Sequence, residues 1–288
     1  MHPELWHWGP IHLRSYGVML AIAFLVGTWI ATREARRLRL DEDKLVTVIL
    51  IALVSGVLGA RLLYVLEHVD EFRREWGSIF ALWQGGLTLY GGVVAGTLGG
   101  LLSARRLGLP MWVVADALTP PVALGTMFGR VGCFLNGCCY GRPTRMPWGV
   151  VFPPDSYAGV EFGNAALHPS QIYAAFAGLV LFLIFWGLRT RTRVPGVLFW
   201  SFIATFGALR IGIDFTRAWE RDAQVFTIGD VPITESQVTS GVLILFSLLM
   251  ILRLLRAAKE APASAPAAPT ARASQTSAER VSSPAPRG

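Results

Sequence analysis

The stretch MWVVADALTPPVALGTMFGRVGCFLNGCCYG, residues 111–141, combines a long apolar run with an arginine. Residues 111–135 are apolar enough and long enough to cross a bilayer whose hydrocarbon core is about 30 Å thick. Arg130 lies near the end of this run, where an unpartnered charge costs roughly 2.5–3.5 kcal/mol at mid-bilayer. The segment therefore predicts a spanning helix whose outer end faces a protein interior or a wet cavity and carries a site.

The whole chain has the composition of a membrane protein. Its 288 residues are 53% hydrophobic and 16% charged, and its mean hydropathy is +0.48. Soluble domains are about 45–50% apolar and about 25% charged. We predict an all-α polytopic membrane protein with about seven spanning helices, at 16–32, 45–66, 79–104, 111–135, 169–188, 196–213 and 234–255.

The arginine-rich loops alternate with the predicted spans. They fall at 33–39, 105–106, 189–193 and 253–259, and the positive-inside rule then predicts an external N-terminus and a cytoplasmic C-terminus. These loops account for the net charge of +7, so nucleic-acid binding is not predicted. We expect a transmembrane domain over residues 1–256 and a disordered, Ala/Pro/Ser-rich cytoplasmic tail over 257–288.

Several ionisable residues lie within or beside the predicted spans: Arg61, Asp116, Arg130, Arg210 and Asp214. One interpretation is a set of buried ion pairs that hold the bundle together, since breaking such a pair costs roughly 3–5 kcal/mol. The other is a functional pathway, because intramembrane charges cluster at such sites.

Arg210 and Asp214 are spaced i, i+4, with Arg217 at i+7, which predicts one shared helical face. Together with Arg130 at a similar depth, these arginines are suited to holding a phosphate through paired hydrogen bonds. A phospholipid headgroup is the phosphate expected there. The alternative is that Arg210 and Asp214 neutralise each other within one helix.

Two further segments admit a structural and a functional interpretation. The glycines of residues 85–100 fit tight helix packing through a small-xxx-small pattern that includes Gly92, or a broken helix that lets Tyr90 face a cavity. His168 precedes the fifth span, where the segment either begins and caps a helix or supplies a base that titrates near neutral pH.

Cys133, Cys138 and Cys139 are the three cysteines of the chain. Packing or a disulfide is the favoured interpretation. A metal site receives little weight, because the spacing matches no zinc pattern and few other ligands are nearby. Neither a metal nor another cofactor is predicted.

Taken in order, these segments resemble the prolipoprotein diacylglyceryl transferase family. The resemblance covers about residues 9–255 and rests on Gly9-Pro10, Arg14-Ser15-Tyr16-Gly17, Gly59-Ala60-Arg61-Leu62, Tyr64, Tyr90-Gly91-Gly92, Asp116, Gly129-Arg130-Val131-Gly132, Gly141-Arg142-Pro143-Thr144, His168-Pro169-Ser170-Gln171-Ile172-Tyr173 and Arg210 to Arg217. It implies transfer of a diacylglyceryl group from phosphatidylglycerol to the lipobox cysteine thiol of a prolipoprotein signal peptide. A thioether forms and glycerol phosphate is released, in the bacterial inner membrane.

The resemblance also implies roles for individual residues. Arg130 and Arg210 would hold the phosphate and stabilise the charge that develops as it leaves. Tyr90, His168 and Asp214 are the candidate bases. The predicted substrate-binding set is Arg130, Arg210, Tyr16, Arg61, Asn136, Gly92 and Gly141.

The chain departs from the family pattern at five positions. Cys133 stands where Asn is usual, Cys138 where Glu is usual, Tyr90 where many members have His, and Ala174 where an acidic residue is common, and the acidic residue of the sixth span is shortened to Asp214. Cys133 and Cys138, which replace an amide and a carboxylate, motivate an alternative, a paralogue with the same lipid pocket and another acceptor. A third possibility is a transporter or channel whose pathway is lined by intramembrane charges.

Overall fold

The computed structural model describes residues 4–8, 11–73, 76–81, 85–219, 224–228 and 231–260. Within these ranges the helices are α1 (Ser15–Leu38), α2 (Glu42–Glu67), α3 (Val69–Phe72), α4 (Leu89–Arg106), α5 (Met111–Asn136), α6 (Tyr157–Phe162), α7 (Ser170–Leu188), α8 (Val197–Asp214) and α9 (Glu235–Glu260). The strands are β1 (Glu4–Trp8), β2 (Ile11–Arg14), β3 (Gln224–Ile228) and β4 (Val231–Thr234). The Gly9-Pro10 motif and residues 261–288 of the predicted tail lie outside the described residues.

Among the described residues, 6 helices are long and apolar enough to span a membrane: α1, α2, α5, α7, α8 and α9. Each corresponds to one predicted span. Many of their large apolar side chains are exposed, as expected of helices whose outer faces contact lipid. The prediction of a helical, multi-pass membrane protein is confirmed.

The predicted third span differs from the rest. Its helix, α4, begins at Leu89 and not near Ile79, and it is not among the six apolar helices. Gly85 and Gly86 adopt left-handed conformations with φ of +88° and +71°, which a continuing right-handed helix cannot accommodate. Residues 76–80 form a short 3-10 helix instead.

Arg61 of α2 holds this irregular segment in place. Its Nη1 donates hydrogen bonds to the carbonyl oxygens of Gly85 at 2.7 Å and Gly86 at 3.0 Å. Its Nε and Nη2 donate to the carbonyls of Ile79 at 2.9 Å and Ser78 at 2.5 Å. Arg61 is buried, and the forked guanidinium satisfies backbone acceptors that a helix would otherwise have paired.

The glycines of α4 allow it to lie directly against α2. A Cβ atom placed on Gly59 would come within 2.1 Å of the Ala95 Cβ and 2.7 Å of the Gly91 carbonyl oxygen. A Cβ on Gly92 would be 3.4 Å from both the Ala60 Cβ and the Gly56 carbonyl oxygen. The glycine pattern therefore serves helix packing, and Gly92, which was predicted to bind substrate, lies in this contact.

Helix α5 occupies the centre of the bundle and contacts α1, α7 and α8. A buried apolar cluster joins α5 to α7 and α8; it consists of Ala123, Leu181, Phe185, Leu198 and Phe202. The helix ends at Gly137, whose φ of +74° lets its N–H bond back to the last turn. This end of α5 carries Arg130 and the first of the three cysteines.

Asp116 connects α5 to the start of α8. Its Oδ2 accepts a hydrogen bond from the Gly196 N–H at 2.7 Å, and its Oδ1 accepts one from the Phe199 N–H at 2.9 Å. The first N–H groups of a helix have no partners within that helix. Asp116 therefore holds the bundle together by capping a neighbouring helix.

Two β-hairpins precede long helices and were not predicted. Strands β1 and β2 lead into α1, and β3 and β4 lead into α9. Both hairpins are antiparallel, and the two registers are equivalent, with Glu4 opposite Arg14 in one and Gln224 opposite Thr234 in the other. Strands of four or five residues are too short to give a clear alternating pattern.

Replacing Asp116 with alanine should destabilise the protein. Two N–H groups at the start of α8 would lose their acceptor, at a cost of about 1–3 kcal/mol. The thermal unfolding midpoint of the purified protein in detergent should therefore fall. Asp155→Ala, which removes an exposed carboxylate, is the matched control, and equal midpoints for the two variants would contradict the capping role.

Replacing Arg61 with lysine should loosen residues 76–86 while α2 stays intact. A lysine ammonium lacks the planar fork that spans four carbonyl groups. Hydrogen exchange followed by mass spectrometry should show faster exchange in that segment. Arg73→Lys, an exposed arginine paired with Asp70, is the control, and unaltered exchange in Arg61→Lys would refute the contact.

Candidate active site

A narrow recess with a cavity volume of about 20 Å³, enough for about one water molecule, is bounded by α5, α7 and α8. Most of its lining is apolar, with side chains such as Leu181, Phe206 and Leu209. The two charged residues that line it are Arg130 from α5 and Arg210 from α8. The two arginines predicted to act together on a phosphate thus face one recess, although 80 residues separate them in the sequence.

Arg210 is positioned by the first turn of α9 and by its own helix. Its Nε donates a hydrogen bond to the Ser236 Oγ at 2.9 Å, and its Nη2 lies 3.6 Å from Oδ1 of Asp214. The other carboxylate oxygen, Oδ2, accepts a hydrogen bond from the Thr234 hydroxyl at 2.6 Å. Asp214 is 1% exposed, so its carboxylate orients Arg210 and is not itself accessible to a ligand.

Arg130 is half-buried, and within the described part of the chain it makes no hydrogen bond and no ion pair. An arginine carries five N–H donors, and those of the half-buried Arg130 are accessible to a ligand. An unpaired guanidinium in an apolar recess is unfavourable unless an anion binds it. The free donors of Arg130 and the remaining donors of Arg210 therefore form a site for a compact anion.

Arg217 adds a third cation. Helix α8 ends at Asp214, so Arg217 lies in the turn beyond the helix and does not continue the predicted helical face. Its guanidinium carbon lies 4.0 Å from the centre of the Trp219 ring, and its Nε is buried without a hydrogen-bond partner among the described residues. Burial, and to a smaller extent the charge of Arg130, lowers the pKa of Arg217.

Gly141 sets the position of Arg217. Its N–H donates to the His168 carbonyl oxygen at 3.0 Å, and it pairs with Arg217 through an isolated β-bridge. A Cβ at this position would lie 2.4 Å from that oxygen and 2.5 Å from the Ser170 Oγ. Gly141 was predicted to bind substrate. In the structure it allows backbone segments to approach closely, because a side chain at this position would not fit.

His168 belongs to a separate polar chain at the start of α7. Its Nδ1 lies 3.2 Å from the Tyr173 hydroxyl, which accepts a hydrogen bond from the Trp148 indole N–H at 2.6 Å. No hydrogen bond or ion pair among the described residues connects His168 to Arg130 or Arg210. The structure thus brings the two arginines together, and the candidate base His168 belongs to a different group of hydrogen-bonded side chains.

Tyr90 lies near the arginines and has an acidic partner that sequence reasoning missed. Its hydroxyl lies close enough to the Glu235 carboxylate and to the Arg210 guanidinium to feel both charges. Glu235 opens α9, immediately before Ser236, which contacts Arg210. The sequence feature that could have identified Glu235 is its position as an acidic residue at the start of an apolar span.

The other predicted substrate-binding residues surround the end of α5. Tyr16, the second residue of α1, packs its ring against Gly132, where an added Cβ would lie 3.0 Å from the ring. Tyr16 also feels the charge of Arg130. Asn136 is the last residue of α5, and its side chain interacts with the Cys138 thiol. Both residues therefore border the arginine site.

Comparison with known proteins agrees with this geometry. A sequence model of the prolipoprotein diacylglyceryl transferase family matches residues 3–253. The phosphatidylglycerol–prolipoprotein diacylglyceryl transferase of Geobacter sulfurreducens is 35% identical over 252 residues, covering 86% of this chain and 93% of the relative. That of Nitratidesulfovibrio vulgaris (strain DP4) is 32% identical over 247 residues, or 84% and 90%. The chain belongs to the prolipoprotein diacylglyceryl transferase family.

Proposed function

We propose that this chain transfers the diacylglyceryl group of phosphatidylglycerol to the thiol of a lipobox cysteine in a prolipoprotein. The observation that carries the proposal is the pair of guanidinium groups, Arg130 and Arg210, in one apolar recess. A phospholipid matches this combination, since its phosphate pairs with arginines and its acyl chains pair with apolar walls. The names of the relatives give the same donor and acceptor.

The arginines would act on the leaving group. In the reaction the acceptor sulfur bonds to the terminal glyceryl carbon of the lipid as the bond from that carbon to the phosphate oxygen breaks. The electron pair of that bond stays on the departing glycerol phosphate, whose charge grows from about one to about two negative units at neutral pH. Arg130 and Arg210 would stabilise this growing charge more strongly in the transition state than in the bound lipid.

Arg217 and Asp214 would support this pair. Arg217 supplies a third positive charge, which interacts electrostatically with Arg130. Asp214 holds Arg210 through the 3.6 Å contact and is itself fixed by Thr234. Because its carboxylate is buried and engaged, we assign Asp214 to positioning and not to proton transfer.

The base that removes the thiol proton would be Tyr90 acting with Glu235. A proton moves from the acceptor thiol to the Tyr90 oxygen as the Tyr90 proton passes to the carboxylate. This pairing is supported by the electrostatic interactions of Tyr90 with Glu235 and with Arg210. His168 is the second candidate, and its contacts with Tyr173 place it in a different group of side chains.

The setting follows from the proposed substrates. We place the chain in the bacterial inner membrane, with the recess toward the external leaflet, where a signal peptide presents its cysteine. The transferase unit would comprise residues 1–256, with α9 continuing to Glu260. The remaining chain would be a cytoplasmic tail.

The activity is tested with the purified chain in phosphatidylglycerol vesicles and a lipobox peptide. We expect a thioether-modified peptide by mass spectrometry and one glycerol phosphate released per modified peptide. Absence of modified peptide would refute the proposal. Release of glycerol phosphate with no peptide modification would favour a paralogue with another acceptor.

Arg130→Ala and Arg210→Ala should each lower turnover by about 10²-fold or more, the cost of removing one donor that stabilises transition-state charge. Membrane insertion should be unchanged in both. Arg106→Ala, an exposed arginine at the far end of α4, should retain full turnover. If Arg130→Ala or Arg210→Ala inserts normally and keeps full turnover, the assignment of these arginines to phosphate binding is wrong.

Tyr90→Phe should lower kcat by about 10²-fold or more and leave KM for phosphatidylglycerol nearly unchanged, because only proton transfer is lost. His168→Gln is the comparison variant and should have the smaller effect on kcat. Steady-state rates over a range of lipid concentrations separate the two constants. The reverse order of effects would assign the base to His168.

A further inference from the structure

The three thiols of the chain come together beside the arginine site. The Sγ atoms of Cys133, Cys138 and Cys139 all lie within 4.8 Å of one another, and none is in a disulfide. We propose that they form a binding site for a thiophilic d¹⁰ cation such as Zn²⁺, Cd²⁺ or Cu⁺. This site is separate from the transferase activity and does not rest on it.

The distances fit such an ion. Thiolate sulfur binds Zn²⁺ at about 2.3 Å, so three sulfurs around one ion would lie about 3.8–4.0 Å apart by that bond length. The observed cluster needs shifts of no more than about 1 Å to close on an ion. Soft sulfur ligands select this class of cation over Mg²⁺ or Ca²⁺, which prefer oxygen.

The spacing of the three cysteines in the sequence does not predict the site, because the chain folds back on itself between Cys133 and Cys138. Cys133 lies in the last turn of α5, and the left-handed Gly137 reverses the chain after it. The Cys138 N–H then donates to the Cys133 carbonyl oxygen at 3.1 Å. Cys139 is itself left-handed, with φ of +61°, an uncommon conformation for a residue with a Cβ.

A neighbouring helix fixes this loop. The Gln171 side-chain amide of α7 donates to the Cys138 carbonyl oxygen at 2.8 Å, and Gln171 is 1% exposed. The backbone that presents the thiols is thus held from both sides before any ion binds, as preorganised ligand sets require. Cys138 and Cys139 are half-buried, so an ion and a solvent ligand have a path to the sulfurs.

Positive charge lies beside the cluster, because the guanidinium groups of Arg217 and Arg130 both act on the Cys139 sulfur. Three thiolates around a divalent ion leave one negative charge, which the adjacent guanidinium groups balance. Binding would release thiol protons to solvent.

Cadmium is the probe, because its bonds to thiolate absorb in the ultraviolet. We expect the reduced, full-length chain in detergent to bind one Cd²⁺ with a sulfur-to-metal charge-transfer band. All three thiols should then resist alkylation. Stoichiometric Cd²⁺ with no such band, or with thiols that still alkylate, would overturn the proposal without the use of any variant.

Variants locate the ligands. Cys133→Ser should weaken Cd²⁺ binding by at least about tenfold, the smallest loss usual when the support of a metal site is disturbed. His68→Gln, a change at a histidine stacked on Tyr64, should bind as the unaltered chain does. Matching elution volumes and helix content show that each variant is folded. If Cys133→Ser binds Cd²⁺ with unchanged affinity, Cys133 is not a ligand and the proposal of a three-thiol site is wrong.

Discussion

An excess of positive charge in apolar surroundings is the constraint on which this structure depends. The half-buried Arg130, Arg210 and Arg217 come from two helices and a turn, and among the described residues Arg210 alone has a carboxylate, that of Asp214, within salt-bridge distance. Such an arrangement is unfavourable until an anion enters. Contacts from neighbouring elements hold Arg210 and the turn that carries Arg217 in position.

These contacts are short and join elements distant in sequence. Ser236, in the first turn of α9, binds Arg210, and Thr234, at the end of β4, binds the carboxylate of Asp214. Gly141 lets the turn that carries Arg217 lie against the start of α7. A carboxylate has a structural task at Asp116, which caps α8 and has no salt-bridge partner among the described residues.

The spans could be predicted because lipid demands long apolar runs, and the arginines because a charge inside such a run is costly. What failed depended on three-dimensional contacts. The start of α4 is set by left-handed Gly85 and Gly86 together with Arg61 from another helix, and no local pattern shows this. Glu235, which was not predicted, comes near the site through the beginning of α9. Arg217 was predicted among the arginines, but it lies in the turn beyond α8 and not on the helical face. The thiol cluster likewise arises from a chain reversal at Gly137, which residue spacing alone does not reveal.

An experimental structure of the chain in a phosphatidylglycerol bilayer would show directly whether the arginines bind the lipid headgroup. We expect a lipid phosphate about 3 Å from guanidinium nitrogens of both Arg130 and Arg210, with at least one acyl chain against the apolar wall of the recess. A headgroup bound elsewhere, with these two side chains turned to different compartments, would contradict this expectation.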